Sequence, residues 1–206
     1  MKLEVASDVI CPWCYIGKRR LEKALKLLNG NVDLKISWLP FQLNPGMPKE
    51  GISRAEYRKA KFGSLERSRQ LDARVIAEGR SEGIEFAFDR IERTPNTVAA
   101  HQLIQKAQQA GLGDLITNAL FRAYFEEARD IGDPAVLADI AAQCAVEGWP
   151  EKAPDVSALE EEVRAMGITA VPTFIFDRRS GISGAYPAET LAGAIREASG
   201  EALKKR

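Results

Sequence analysis

The β signals of this chain fall in two stretches, and the helical pattern of residues 53–148 separates them. Residues 2–7 read as a strand, with Leu3, Val5 and Ser7 on one face and Lys2 and Glu4 elsewhere. Leu21, Ala24, Leu25 and Leu28 recur at helical spacing, and Asn29-Gly30 ends that helix. Val32, Leu34, Ile36 and Trp38 alternate with polar residues as a second strand, which Pro40, Pro45, Gly46 and Pro48 close. Ser53 with Glu56, and Ser157 with Glu160, have capping-box spacing, and Asp133-Pro134 predicts a capped helix start. β signals return only after Pro150, in Val171-Pro172-Thr173-Phe174-Ile175-Phe176 and around Ile182-Ser183-Gly184, before a last helix opened by Pro187. A β-α-β start and an α-β-β-α end must meet in one sheet. The fold class predicted is therefore α/β, with residues 1–45 and 150–206 forming the layered part and 46–149 inserted as an all-helical domain.

Composition narrows the function. The 206 residues carry 29 Lys plus Arg and 29 Asp plus Glu, so no net charge points to nucleic acid. The basic end Lys204-Lys205-Arg206 reads as a solvated terminus. No apolar run reaches the ~20 residues a membrane span needs. Glu4 and Asp8 interrupt any secretory signal, which predicts a cytoplasmic protein. Three cysteines are too few for a disulfide framework. In a reducing compartment a C-x-x-C pair is redox-active, metal-binding or incidental.

Cys11-Pro12-Trp13-Cys14 follows a strand and opens a helix. Pro12 suits a first helical turn, where a missing N–H costs nothing. The unpaired N–H groups and partial positive charge of a helix start stabilise a thiolate. Two intervening residues let both sulfurs meet, so Cys11 is the expected nucleophile and Cys14 the resolving thiol. A zinc site would need two further ligands, and only Cys144 and His101 are on offer, neither with a partner at metal-ligand spacing. Cys144 shares an apolar stripe with Leu137, Ile140 and Ala141 and reads as a structural thiol. No metal is expected.

Taken in order, Cys11 to Gly17, Thr94-Pro95-Asn96-Thr97 with His101, Phe121-Arg122-Ala123-Tyr124-Phe125, Asp130-Ile131-Gly132-Asp133, and Gly167 to Phe174 resemble the DsbA-like family, and within it the cytosolic FrnE-like oxidoreductases. The resemblance runs from about residue 3 to residue 197. It implies a thioredoxin fold interrupted by a helical domain, and a cis-proline at Pro172, with Val171 before it, facing the cysteine pair. It also implies a thiol–disulfide oxidoreductase, or disulfide isomerase, acting on a disulfide or dithiol in a protein or small molecule. No cofactor is expected to be tightly bound, and glutathione is a candidate thiol co-substrate. Relatives often dimerise, so a homodimer is a candidate, although no stripe marks an interface. Kappa-class glutathione transferases and 2-hydroxychromene-2-carboxylate isomerases share this layout but typically carry serine where Cys11 stands.

Further candidates lie around this core. Pro12 and Trp13 sit between the sulfurs, and Trp13 is either a substrate contact or plain packing. Asn44 is a candidate from the glutathione-using relatives, or a turn residue before Pro45. Asn96, Thr97 and His101 open a helix that either roofs the cysteines or is simply capped. Tyr186, in Gly184-Ala185-Tyr186-Pro187, precedes a helix start able to receive a carboxylate. Two other functions compete with disulfide exchange. One is a glutathione-dependent isomerase or transferase on a small aromatic or polyketide substrate. The other is a non-catalytic redox-sensing binding module.

Overall fold

The computed structural model describes residues 1–200; the basic end at 204–206 lies outside the described residues. The first strand, β1 (Lys2–Ser7), leads into helix α1 (Pro12–Leu28), and the chain returns along β2 (Lys35–Pro40). The helix-rich middle holds α2 (Arg54–Phe62), α3 (Leu65–Ser81), α4 (Val98–Gln109), α5 (Gly113–Phe125) and α6 (Pro134–Gln143). It also holds a short antiparallel ribbon, β3 (Ile52–Ser53) with β4 (Arg93–Thr94). Then come α7 (Ser157–Ala165), β5 (Thr173–Phe176), β6 (Ser180–Ser183) and α8 (Ala188–Ala198).

The sheet runs β2-β1-β5-β6. β2 lies parallel to β1 from Lys2↔Lys35 to Ser7↔Pro40, and β5 lies antiparallel to β1 on the other side. The two β stretches thus meet in one sheet around β1, as the pattern of β signals predicts.

Alternation along β1 assigns its faces. Leu3 and Val5 join Ile16, Leu21, Ala24 and Leu28 of α1 and Leu191 and Ile195 of α8 in a core that continues into α4, α5 and α6. Ala6 points the other way, to a smaller core with Leu39, Phe41, Ile175 and Val163 of α7. Burying an aliphatic side chain of this kind contributes about 1.5–3 kcal/mol. Glu4 is also buried, held by Lys2 Nζ at 2.7 Å and Arg178 Nε at 2.8 Å.

Several local readings shift. β2 starts at Lys35, not Val32, because its pairing with β1 begins at Lys2. Ser53 gives no side-chain cap; Ser64 caps α3 instead, through Arg67 N–H at 3.1 Å. Ser157 is the first residue of α7, and Asp155 accepts its N–H at 2.9 Å. Asp133 caps α6 as predicted, accepting from Ala135 N–H at 2.8 Å. Cys144 closes α6 half-buried, because Ala145 turns left-handed (φ 56°) and ends the helix before Gly148.

Candidate active site

Cys11 occupies the N-cap of α1, with extended backbone (φ −93°, ψ 112°). Its N–H donates to the Asp8 carbonyl at 3.0 Å. Its own carbonyl accepts from Cys14 N–H at 3.0 Å and Tyr15 N–H at 3.3 Å. Pro12 takes the first helical position, and no acidic residue stands in the first turn to compete with an anion there. Both sulfurs belong to buried, unbridged cysteines.

The two thiols are electrostatically unequal. Cys11 is held below the ordinary thiol range, chiefly by the hydrogen bond it receives from the Cys14 thiol. The N–H groups of Cys14 and Trp13 add to this, while burial and the charge of Asp8 oppose it. Cys14 is pushed well above the ordinary range, first by burial and then by donating to Cys11. The Ser7 hydroxyl and the Asp8 N–H offset part of that rise. Cys11 thus gives up its proton more readily than Cys14, the inequality a two-step exchange requires.

The opposite wall comes from 160 residues away. The Val171–Pro172 peptide is cis, and Cys11 Sγ lies 3.8 Å from the Val171 carbonyl oxygen. Pro172 is buried against α1 at Gly17, where an added Cβ would come within 2.9 Å of Pro172 Cγ. Gly184 N–H donates to the Pro172 carbonyl at 2.7 Å, which brings the loop carrying Tyr186 alongside. Tyr186 itself is exposed. Trp13 is 39% exposed at the rim, and Pro12 is half-buried.

The remaining candidates divide. His101, from α4, is buried with its Nε2 3.3 Å from Asp8 Oδ1. The other Asp8 oxygen accepts from Leu43 N–H at 2.8 Å, which draws the loop of half-buried Asn44 toward the site. The Asn44 amide nitrogen is buried without a hydrogen-bond partner among the described residues. Both ends of the Asn96 amide go to backbone, Nδ2 to Met47 O at 2.8 Å and Oδ1 to Val98 N–H at 3.0 Å. Asn96 therefore fastens the start of α4 to the loop after β2.

Asp8 and Ser7 are the residues that motif reasoning passed over. Asp8 is fully buried and contributes to both sulfurs' environments, by its charge and by its N–H. A carboxylate directly after the first strand, three residues before the first cysteine and followed by apolar Val9 and Ile10, was the available signal.

Tyr15, the residue after Cys14, anchors the site to the helix-rich segment. Its ring stacks on Phe121 (centroids 5.1 Å apart, 12° between planes), and its hydroxyl donates to Glu126 at 2.5 Å. Aromatic pairs of this geometry contribute about 0.5–1.5 kcal/mol beyond area burial.

The sequence matches the model of the family described as DSBA-like thioredoxin domain over residues 2–196. The uncharacterized protein YwbO of Bacillus subtilis is 29% identical over 182 residues, 84% of this chain and 85% of its own length. The crystal structure of a protein described as a probable DsbA oxidoreductase from Streptomyces coelicolor superposes with a TM-score of 0.88 at 29% identity, covering 100% of this chain and 93% of that one. The cytosolic disulfide reductase DsbM from Pseudomonas aeruginosa, solved with GSH, gives a TM-score of 0.62 at 17% identity, covering 98% of this chain and 96% of that one. At that identity the likeness is one of fold. No helix among the described residues is long and apolar enough to cross a membrane.

Proposed function

This chain belongs to the family of DSBA-like thioredoxin domains, and from that premise we propose that it is a thiol–disulfide oxidoreductase of the cytosolic FrnE-like kind, working through Cys11 and Cys14. The observation that carries this reading is the pair of thiols at one helix start, with Cys11 at the N-cap made the more acidic of the two and Cys14 the less.

The Cys11 thiolate attacks a substrate disulfide. A Cys11–substrate disulfide forms, and the other substrate sulfur leaves as thiolate and takes a proton. Cys14 then loses its proton and attacks Cys11 Sγ. The Cys11–Cys14 disulfide forms and the second substrate thiol departs reduced. Two molecules of a thiol such as glutathione, the proposed co-substrate, return the pair to the dithiol: the first opens the Cys11–Cys14 disulfide as a mixed disulfide, and the second releases the first as their own disulfide. Run in reverse, the cycle oxidises a substrate dithiol. The carbonyl of Val171, beside Cys11 Sγ, is the backbone against which a substrate segment would lie. Trp13 at the rim is the proposed substrate contact.

Turnover of a peptide disulfide with glutathione as reductant tests the proposal. Cys11→Ser should abolish turnover. Cys14→Ser, mixed with the peptide disulfide in the absence of glutathione, should stop after the first step and accumulate a Cys11 mixed disulfide visible by intact mass. Full activity in Cys11→Ser would refute it.

A further inference from the structure

α2 places Arg54 and Arg58 one turn apart, a spacing at which like charges repel. Both reach the same carboxylate, Asp72 of α3. Arg58 Nη2 hydrogen-bonds Oδ1, and Arg54 Nη2 lies 3.2 Å from Oδ2. Arg58 also donates from Nε to Ser68 Oγ at 2.6 Å. Among the described residues, Asp72 is the carboxylate in ion-pair contact with either guanidinium. These are covered side chains, 15% exposed for Arg54, 13% for Arg58 and 12% for Asp72. One positive charge is therefore left over on a wall largely withdrawn from water, where an unmatched charge is costly. Phe88 lies under Arg54 at 5.1 Å, and Phe62 under Arg58 at 4.3 Å, but a ring face does not neutralise a cation. Burial holds Arg58 below its ordinary value, and Arg54 adds to that.

The position of this wall gives the excess charge its meaning. Arg54, Arg58 and Phe88 are shared by two adjoining spaces. One is a cleft of about 30 Å³ that Ile10, Pro12, Tyr57 and Tyr124 also line, so it begins at the cysteine motif. The other is a cavity of about 430 Å³ floored by Ile76 and Ile91. Arg69 and Asp89 also line that cavity, and their charges offset one another. We propose that Arg54 and Arg58 form an anion subsite beside Cys11, which selects disulfides carrying a carboxylate near the reacting sulfur. The carboxylate takes the second place on the guanidinium pair that Asp72 leaves open, and the disulfide is thereby held against Cys11. This rests on the reading that Cys11 attacks disulfides.

Two chromogenic disulfides separate the arginines' role from the cysteines' chemistry. 5,5′-Dithiobis(2-nitrobenzoate) carries a carboxylate on each ring, and 2,2′-dithiodipyridine carries none. With the reduced protein, Arg54→Gln or Arg58→Gln should slow the carboxylated reagent about tenfold and leave the uncharged one within about twofold. Asp72→Asn, which frees the pair, should speed the carboxylated reagent alone. Arg67→Gln, the same loss of charge at an exposed arginine of α3, should change neither rate. In the unaltered protein benzoate should compete against the carboxylated reagent where benzamide does not, which needs no variant to fold. Equal changes for both reagents, or no competition by benzoate, would overturn the subsite. If the unaltered protein reacts with neither reagent, it is the exchange reading that fails.

Discussion

Gly17 lies inside α1, where alanine is ordinarily the better residue by about 0.8–1 kcal/mol. Its surroundings reverse that gain. A Cβ at this position would stand 2.9 Å from Pro172 Cγ and 3.5 Å from both Pro172 Cβ and Phe174 Cζ. Proline is stiff and Phe174 is buried, so neither neighbour can give way without moving the strand behind it. Overpacking of this kind costs about 1–3 kcal/mol. The balance is a net loss of up to about 2 kcal/mol, a fall in melting temperature of roughly 2–4 °C for each kcal/mol in a chain of this size. Gly193, exposed within α8, is the matched comparison. Nothing lies within 4 Å of its added Cβ, so Gly193→Ala should gain the propensity term and melt higher. Urea unfolding of the two variants, followed by circular dichroism, gives the difference directly. Alkylation of buried Cys11 should also speed up in Gly17→Ala, because α1 can relieve the clash only by drawing away from the Val171–Pro172 wall that covers it. If Gly17→Ala is stabilised as much as Gly193→Ala, the close approach of α1 to Pro172 is wrong, and so is the account of the wall facing Cys11.

Asp8→Asn removes a negative charge that opposes the Cys11 thiolate, so the thiolate absorbance of Cys11 should titrate at lower pH than in the unaltered protein. An unchanged or higher midpoint would contradict the role given to Asp8. Burial alone would push Glu4 up, but Arg178 and Lys2 together hold its carboxyl below the ordinary value. Its contribution to stability is therefore complete above the usual carboxylate range and is lost as pH falls through the lowered value. Glu4→Gln should be less stable at neutral pH, with the deficit narrowing toward acid, as pH-dependent urea midpoints would report. Asp133→Ala should cost about 1 kcal/mol through the lost cap of α6 and leave Cys11 reactivity unchanged. A drop in reactivity alongside the drop in stability would mean that α6 bears on the site.

What was legible in the sequence depended on how far apart the interacting residues stand. The chemistry at Cys11 is local: a strand, a proline at the first helical position and a helix start lie within a few residues, and each leaves a mark. The cap at Asp133 is local too. The β3–β4 ribbon is two residues on each side, too short for alternation to register. The start of β2 is set by its partner strand, so the alternating Val32 and Leu34 suggested a strand where the chain is only approaching the sheet. Asp8 meets His101 only because α4 packs against β2, the strand beside β1, and nothing near either residue announces the other. The same holds for Arg54 and Arg58 against Asp72: each is an ordinary charged helix residue until α2 and α3 lie side by side. Val171-Pro172 sits between these cases, an oddly placed proline whose position against Cys11 came from family resemblance and is now seen in the contact to Sγ.

The sheet order has a consequence for how the protein is made. β1 emerges from the ribosome early, yet its antiparallel neighbour β5 and the wall facing Cys11 are translated some 160 residues later. At 5–20 residues per second, that interval is roughly 8–30 s. Throughout it the two thiols lack their opposite wall and the full core that covers them. A nascent chain can therefore exchange with passing disulfides, forming mixed disulfides that the finished site would govern. The reactivity of this cysteine pair becomes controlled only at the end of synthesis, when β5 closes against β1.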